Sequence, residues 1–199
     1  MAEENEEIDL GKMIEKSVEK LDKDKYSKKE IAMVKQAMRE VIFESKLPYQ
    51  AMGLKESNLN NIYLYAYNVF KGGKYDEAIS AFFVLSMLDP TSAKYSFALA
   101  SAYHKNKDYE LAAGKYFGAA YLDPTNPVPY FHASDCFEKM GEKESAILAL
   151  NGAISRCGED PHWESVKGRA LAMREYLKKN SNWDKVVAEI IKEDQEDSK

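Results

Sequence analysis

Apolar residues recur at three- and four-residue steps through most of the chain, the period of helices that bury one face. Ile8, Leu10, Ile14, Val18 and Leu21 mark a first amphipathic helix. Tyr26-Ser27 interrupts it, and Ser27-Lys28-Lys29-Glu30 reads as a capping box that opens a second helix. Its apolar face is Ile31, Val34, Met38, Val41 and Ile42, and it stops before Pro48. Residues Leu47 to Asn58 form a linker, after which the pattern begins to copy itself. Asp89-Pro90-Thr91 returns as Asp123-Pro124-Thr125, 34 residues later. Ala66, Ala100 and Ser134 hold one small position, and Val69, Tyr103 and Phe137 the large position one turn on. Ala78, Ala112 and Ala146 hold the small position of a second helix, followed by Phe82, Tyr116 and Leu150, then Leu85, Ala119 and Ala153.

A period of 34 residues with these residue types is the signature of the tetratricopeptide repeat, a helix–turn–helix unit. The expected fold is all-α: three tandem repeats (59–92, 93–126 and 127–160) stacked as an α-solenoid with helical flanks. Gly73 and Gly141 fall at the turn between paired helices, where a left-handed backbone suits glycine. Lys107 replaces glycine in the second unit and predicts a slightly different turn there. The third unit has Gly158 in place of the closing proline, and terminal repeats are commonly atypical.

Stacked repeats need covered ends. Residues 161–194 are expected to supply the C-terminal cap. Asp160-Pro161 reads as N-cap and first helical residue, and Val166, Ala170, Met173, Tyr176 and Leu177 form a face able to close the third repeat. Ser181 and Asp184 would cap a last helix with Trp183, Val186, Val187 and Ile190, and Gln195 to Lys199 would be a disordered tail. Residues 1–58 form an N-terminal helical segment whose apolar stripe is broader than one cap needs. It has two candidate uses, packing on the stack or joining two copies as a homodimer, and the sequence leaves both open.

Composition narrows the function classes. The chain has 199 residues, 45% hydrophobic and 31% charged, with 28 basic against 33 acidic residues and a net charge of −5. That balance argues against a nucleic-acid partner, which calls for a basic face. No apolar run is long enough for direct membrane insertion, and the acidic start from Met1 to Asp9 lacks the apolar core of a secretory signal. Cys136 and Cys157 are too few for a disulfide framework and read as reduced thiols. No phosphate-binding loop is present to suggest nucleotide use.

The inner face carries the candidate chemistry. In this repeat the second, fifth, ninth and twelfth residues of each first helix point to the concave side. These are Asn60, Tyr63, Tyr67 and Phe70; then Lys94, Phe97, Ser101 and His104; then Val128, Phe131, Asp135 and Glu138. Tyr63, Tyr67, Phe70, Phe97 and Phe131 make an aromatic stripe with no core duty in the repeat motif. Such a stripe suits an extended proline-containing segment, whose rings stack at low entropy cost. The competing structural use of the stripe is a surface covered by the N-terminal helices folding back.

Three stretches carry a resemblance to a known family: Ile62-Tyr63-Leu64-Tyr65-Ala66-Tyr67, Gly73-Lys74-Tyr75-Asp76-Glu77-Ala78 and Phe131-His132-Ala133-Ser134-Asp135-Cys136. Over residues 55–160 the chain resembles the class II chaperones of bacterial type III secretion. The resemblance implies three repeats with helical flanks and a location in the bacterial cytoplasm. It implies hydrophobic translocator proteins as partners, held through a Pro-x-Leu-x-x-Pro-like segment in the groove. By position, Tyr63, Tyr67 and Phe70 match the family's groove aromatics, Phe131 and His132 its third-repeat motif, and Phe97 and Ala98 the corresponding second-repeat places. The chain departs from the family pattern in a longer extension beyond Trp163 and a longer N-terminal helical segment.

The same residues bear on other functions. A clamp for a peptide carboxylate would require lysine, asparagine and arginine where Tyr63, Tyr67, Ala98, Val128 and His132 stand. His132 and Cys136 are four apart on one helix and could pair as a nucleophile and base or as half a metal site, but no third ligand stands at a suitable spacing. The expectation is therefore a binding protein with no enzyme activity, no cofactor and no metal. A repeat scaffold of another pathway, with the same groove and a different extended peptide, is the main alternative.

Overall fold

The computed structural model describes residues 9–21, 25–183, 185, 187 and 188. Ile8 of the first expected helix, Asp184, Val186 and Ile190 of the last, and the tail Gln195 to Lys199 lie outside the described residues. Those described are all-α, with ten α-helices and one short 3-10 turn.

Six helices form the stack. They are α4 (Glu56–Lys71) with α5 (Tyr75–Leu88), α6 (Ala93–Asn106) with α7 (Tyr109–Leu122), and α8 (Val128–Met140) with α9 (Lys143–Cys157). The small positions explain why the pairs close. Ala66, Ala78, Ala100, Ala112, Ser134 and Ala146 are fully buried, so paired backbones approach with no side chain between them. Phe82, Tyr116 and Leu150 fill the space beyond, one per unit. The core runs as three clusters along the stack, and each helix packs chiefly on its neighbours in sequence.

The three inter-helix turns are alike, contrary to the expectation for Lys107. Its φ is 71°, beside 77° at Gly73 and 83° at Gly141. The same bonds close all three helices: Lys74 N–H donates to Val69 O at 3.2 Å, Asp108 N–H to Tyr103 O at 3.0 Å, and Glu142 N–H to Phe137 O at 2.9 Å. These main-chain bonds satisfy the last helical carbonyls and dictate the left-handed residue, whatever its side chain.

Flanking the stack, Asp9 caps α1 (Leu10–Glu19) and Ser27 caps α2 (Lys28–Phe43). The capping box is formed: Glu30 N–H donates to Ser27 Oγ at 3.2 Å and Ser27 N–H to Glu30 Oε2 at 2.8 Å. Ile14 and Val18 are buried between α1 and α2, and Lys35 and Glu15 pair at 2.6 Å across them. A short α3 (Pro48–Ala51) leads to the stack and buries Tyr49 against it. At the other end Asp160 caps the 3-10 turn Pro161–Trp163, and α10 (Glu164–Lys179) follows, so Pro161 opens the turn and not the helix itself. Ala170 and Leu177 are buried against α9, with Met173 and Trp183 beside them. Tyr176 faces away from this seam and is exposed.

Candidate functional site

The inner helices α4, α6 and α8 line a cavity of about 470 Å³. Seven of the ten sequence-predicted residues border it: Tyr63, Tyr67, Phe70, Lys94, Phe97, Ala98 and Ser101. No residue of α1 to α3 contributes to its wall. Helical geometry explains the grouping, because residues three and four apart share one face. The small Ala98 between two rings leaves the space open.

The aromatics are held in place by packing, which the sequence reading underrated. Tyr63 lies 6.3 Å from Tyr67 in a near-parallel stack, 5.7 Å from Phe82 and 6.0 Å from Tyr95. Tyr63 and Phe70 pack on the first core cluster, Phe97 on the second and Phe131 on the third. Tyr63, Phe70 and Phe97 thus both line the cavity and pack on the core, with rings of their own and adjacent helices against them. Tyr67, 43% accessible, is the most open of them. Rings fixed in this way lose little entropy when a ligand docks. Lys94 Nζ sits 3.8 Å over the Tyr63 ring.

His104, Phe131 and His132 stand beside this cavity and not on its wall. The two imidazoles join a half-buried polar cluster beside Phe97. His104 Nε2 is 2.9 Å from Asp135 Oδ2, and His104 Nδ1 is 3.4 Å from the Tyr116 hydroxyl. The carboxylate fixes the tautomer: Nε2 carries the proton and donates, so Nδ1 accepts from Tyr116. His132 stacks on Tyr116 at 5.4 Å and meets Phe97 edge-on at 5.7 Å. Burial pushes the His104 value below 6.5, against an opposing pull from Asp135. His132 is lowered as well, by burial first and then by the neighbouring His104. Burial drives the Tyr116 hydroxyl up to about 12. Phe131 lies under the Arg169 guanidinium, 4.7 Å from its ring centre.

Several contributors escaped sequence reasoning. Phe82 and Ala119 also line the cavity from second helices, Asp123 and Asn126 from the turn between the second and third units, and Pro129 from the first turn of α8. The repeat register had marked Phe82 as a packing position, and that register was the available signal. Cys136 is buried and burial pushes its thiol up to about 12, so it stays protonated and is a poor nucleophile beside His132. Among the described residues no group of His, Cys, Asp and Glu is placed to hold a metal, and no helix is long and apolar enough to cross a membrane.

A second apolar surface lies on α2. Met33, Val34, Met38, Val41 and Ile42 border, with Pro48 and Met52, an open depression of about 870 Å³. Met33 and Val34 are exposed there.

Comparison with known proteins agrees with the helical-repeat fold. Residues 59–91 match the family model described as tetratricopeptide repeat. The chain is 27% identical over 125 residues to the low calcium response locus protein H of Yersinia pseudotuberculosis, covering 63% of this chain and 74% of that protein. It is similar to PcrH of Pseudomonas aeruginosa, solved in complex with the chaperone binding region of PopD, with 30% identity and a TM-score of 0.61 over 64% of this chain and 96% of that one. It is also similar to the type III secretion chaperone SycD of Yersinia enterocolitica, solved with a peptide of the translocator YopD. There the identity is 27% and the TM-score 0.59, over 62% of this chain and 95% of that one.

Proposed function

We propose that this chain, which belongs to the class II chaperones of type III secretion, binds the hydrophobic translocator proteins of such a system through its concave groove. An extended, proline-containing segment of the client lies on Tyr63, Tyr67, Phe70 and Phe97, with Lys94, Ala98 and Ser101 around it and His104, Phe131 and His132 at its third-repeat end. The observation that carries this reading is the ring-lined cavity on the inner helices, with its aromatics pre-positioned by packing.

The work done is masking. A client with membrane-inserting segments aggregates when free, and binding lowers its free concentration and covers apolar surface. Differential affinity is sufficient for that, so the protein acts stoichiometrically in the bacterial cytoplasm, without a catalytic step or nucleotide. One groove holds one segment, so two translocators are kept apart by exclusion. The units run as repeats 59–92, 93–126 and 127–160, with 1–58 and 161–194 as flanks. The exposed α2 face is the surface through which two copies would join.

The test is a calorimetric titration with a Pro-x-Leu-x-x-Pro peptide. Wild type is expected to bind with Kd of about 1–10 µM, near −7 to −8 kcal/mol. Tyr67→Glu, at an open position, is expected to stay folded and lose binding. A folded wild type that does not bind would turn the reading towards a repeat scaffold with another client.

A further inference from the structure

α10 continues the stack as the inner helix of a fourth unit. The spacing that sets Tyr67, Ser101 and Asp135 at one inward position reaches Arg169 after another 34 residues. The spacing that sets Ala66, Ala100 and Ser134 against their second helices reaches Gly168. The packing follows that register. α10 lies along α9 as α8 lies along α7, and Ala170 is fully buried as Ala102 and Cys136 are. A Cβ on Gly168 would meet no described atom within 4 Å, on the side where a second helix would stand.

Arg169 therefore faces the groove, and its contact with Phe131 fixes it there. The guanidinium carbon sits over the Phe131 ring, 4.7 Å from its centre, and rings connect it to the cavity: Phe131 to His132 at 6.0 Å, His132 to Phe97 at 5.7 Å. Arg169 is exposed and forms no ion pair among the described residues. Asp135, at the equivalent place one unit earlier, is engaged by His104 at 2.9 Å instead. A guanidinium held over a ring by a cation–π contact still has N–H donors suited to a carboxylate.

We propose that Arg169 is a specificity residue at the end of the groove, pairing with an Asp or Glu of the bound client segment. This rests on the groove reading above and adds an acidic flank to the apolar, proline-containing motif. The chain is acidic overall, so the attraction is local to this end.

The experiment compares core peptides that carry two Glu or two Gln residues at one end or the other. One Glu peptide is expected to bind wild type about fivefold tighter than its Gln counterpart at low salt, the scale of one partly exposed ion pair. That gain should vanish in Arg169→Gln, persist in part in Arg169→Lys, survive Lys94→Gln, and fade at about 0.5 M salt. Equal binding of the Glu and Gln peptides, or a gain that survives Arg169→Gln, overturns the inference and leaves the groove reading intact. Failure of the Glu and the Gln peptides alike to bind wild type overturns the groove reading and this inference with it.

Discussion

His104 Nε2 and Asp135 Oδ2 meet at 2.9 Å and join the inner helices of the second and third units. His132 completes the layer by stacking on Tyr116. The geometry therefore makes protonation of the cluster a structural event.

Both imidazoles are depressed, chiefly by burial, so the folded state favours their neutral forms. The sign follows from linkage. Stability is fully present above the unfolded value near 6.5 and is lost as pH falls through the lower folded values. Denaturant midpoints from about pH 8 to pH 5 should fall more steeply for wild type than for His132→Phe, which cannot take up that proton. Parallel curves would show that His132 carries no such linkage.

Lys107 holds a left-handed backbone that glycine holds in the other two units. An L side chain there costs about 1 kcal/mol. Lys107→Gly is expected to raise the melting temperature by about 2–4 °C, read by calorimetry. A drop would mean that the lysine side chain stabilises the turn by more than the strain it introduces.

Gly152 lies against the Tyr130 ring, and a Cβ there would stand 2.8 Å from Tyr130 Cδ1. The ring has little freedom to yield, since Phe117 abuts it at 5.6 Å and the Arg156 guanidinium covers it at 4.0 Å. Gly152→Ala should therefore destabilise by about 1–3 kcal/mol, measured by urea unfolding. Full stability in this variant would show that Tyr130 shifts freely.

Ala98 keeps the cavity open between Phe97 and the rings of the first unit. Ala98→Glu is expected to weaken the core peptide by at least about tenfold, because the new side chain fills the space and must be desolvated on binding. The melting temperature should change by no more than about 3 °C, the scale of a 1 kcal/mol effect in a chain of this size. Unaltered peptide affinity would move the contact away from Ala98.

The repeat was plainly legible in the sequence, because close helix packing demands the same small residues at the same places: Ala66, Ala100 and Ser134 are all fully buried. The inner-face positions were legible for the same reason. What a fixed register cannot convey is how far a ring leans. Tyr63 and Phe97 line the groove and also pack on their own cores. Nor does it mark Asp123 and Asn126, which reach the cavity from turns. Arg169 is hidden in the sequence because the closing Asp-Pro is absent at its place after the third unit, where the visible count of 34 stops.

From α4 onwards each helix packs chiefly on the helices next to it in sequence. That connectivity has a consequence for synthesis. The first unit closes once α6 has left the ribosome, with no need for the residues still to come. The rings around Tyr63 and Phe70 thus take up their arrangement while the third unit is untranslated, and a client made nearby could begin to engage a chain that is still growing.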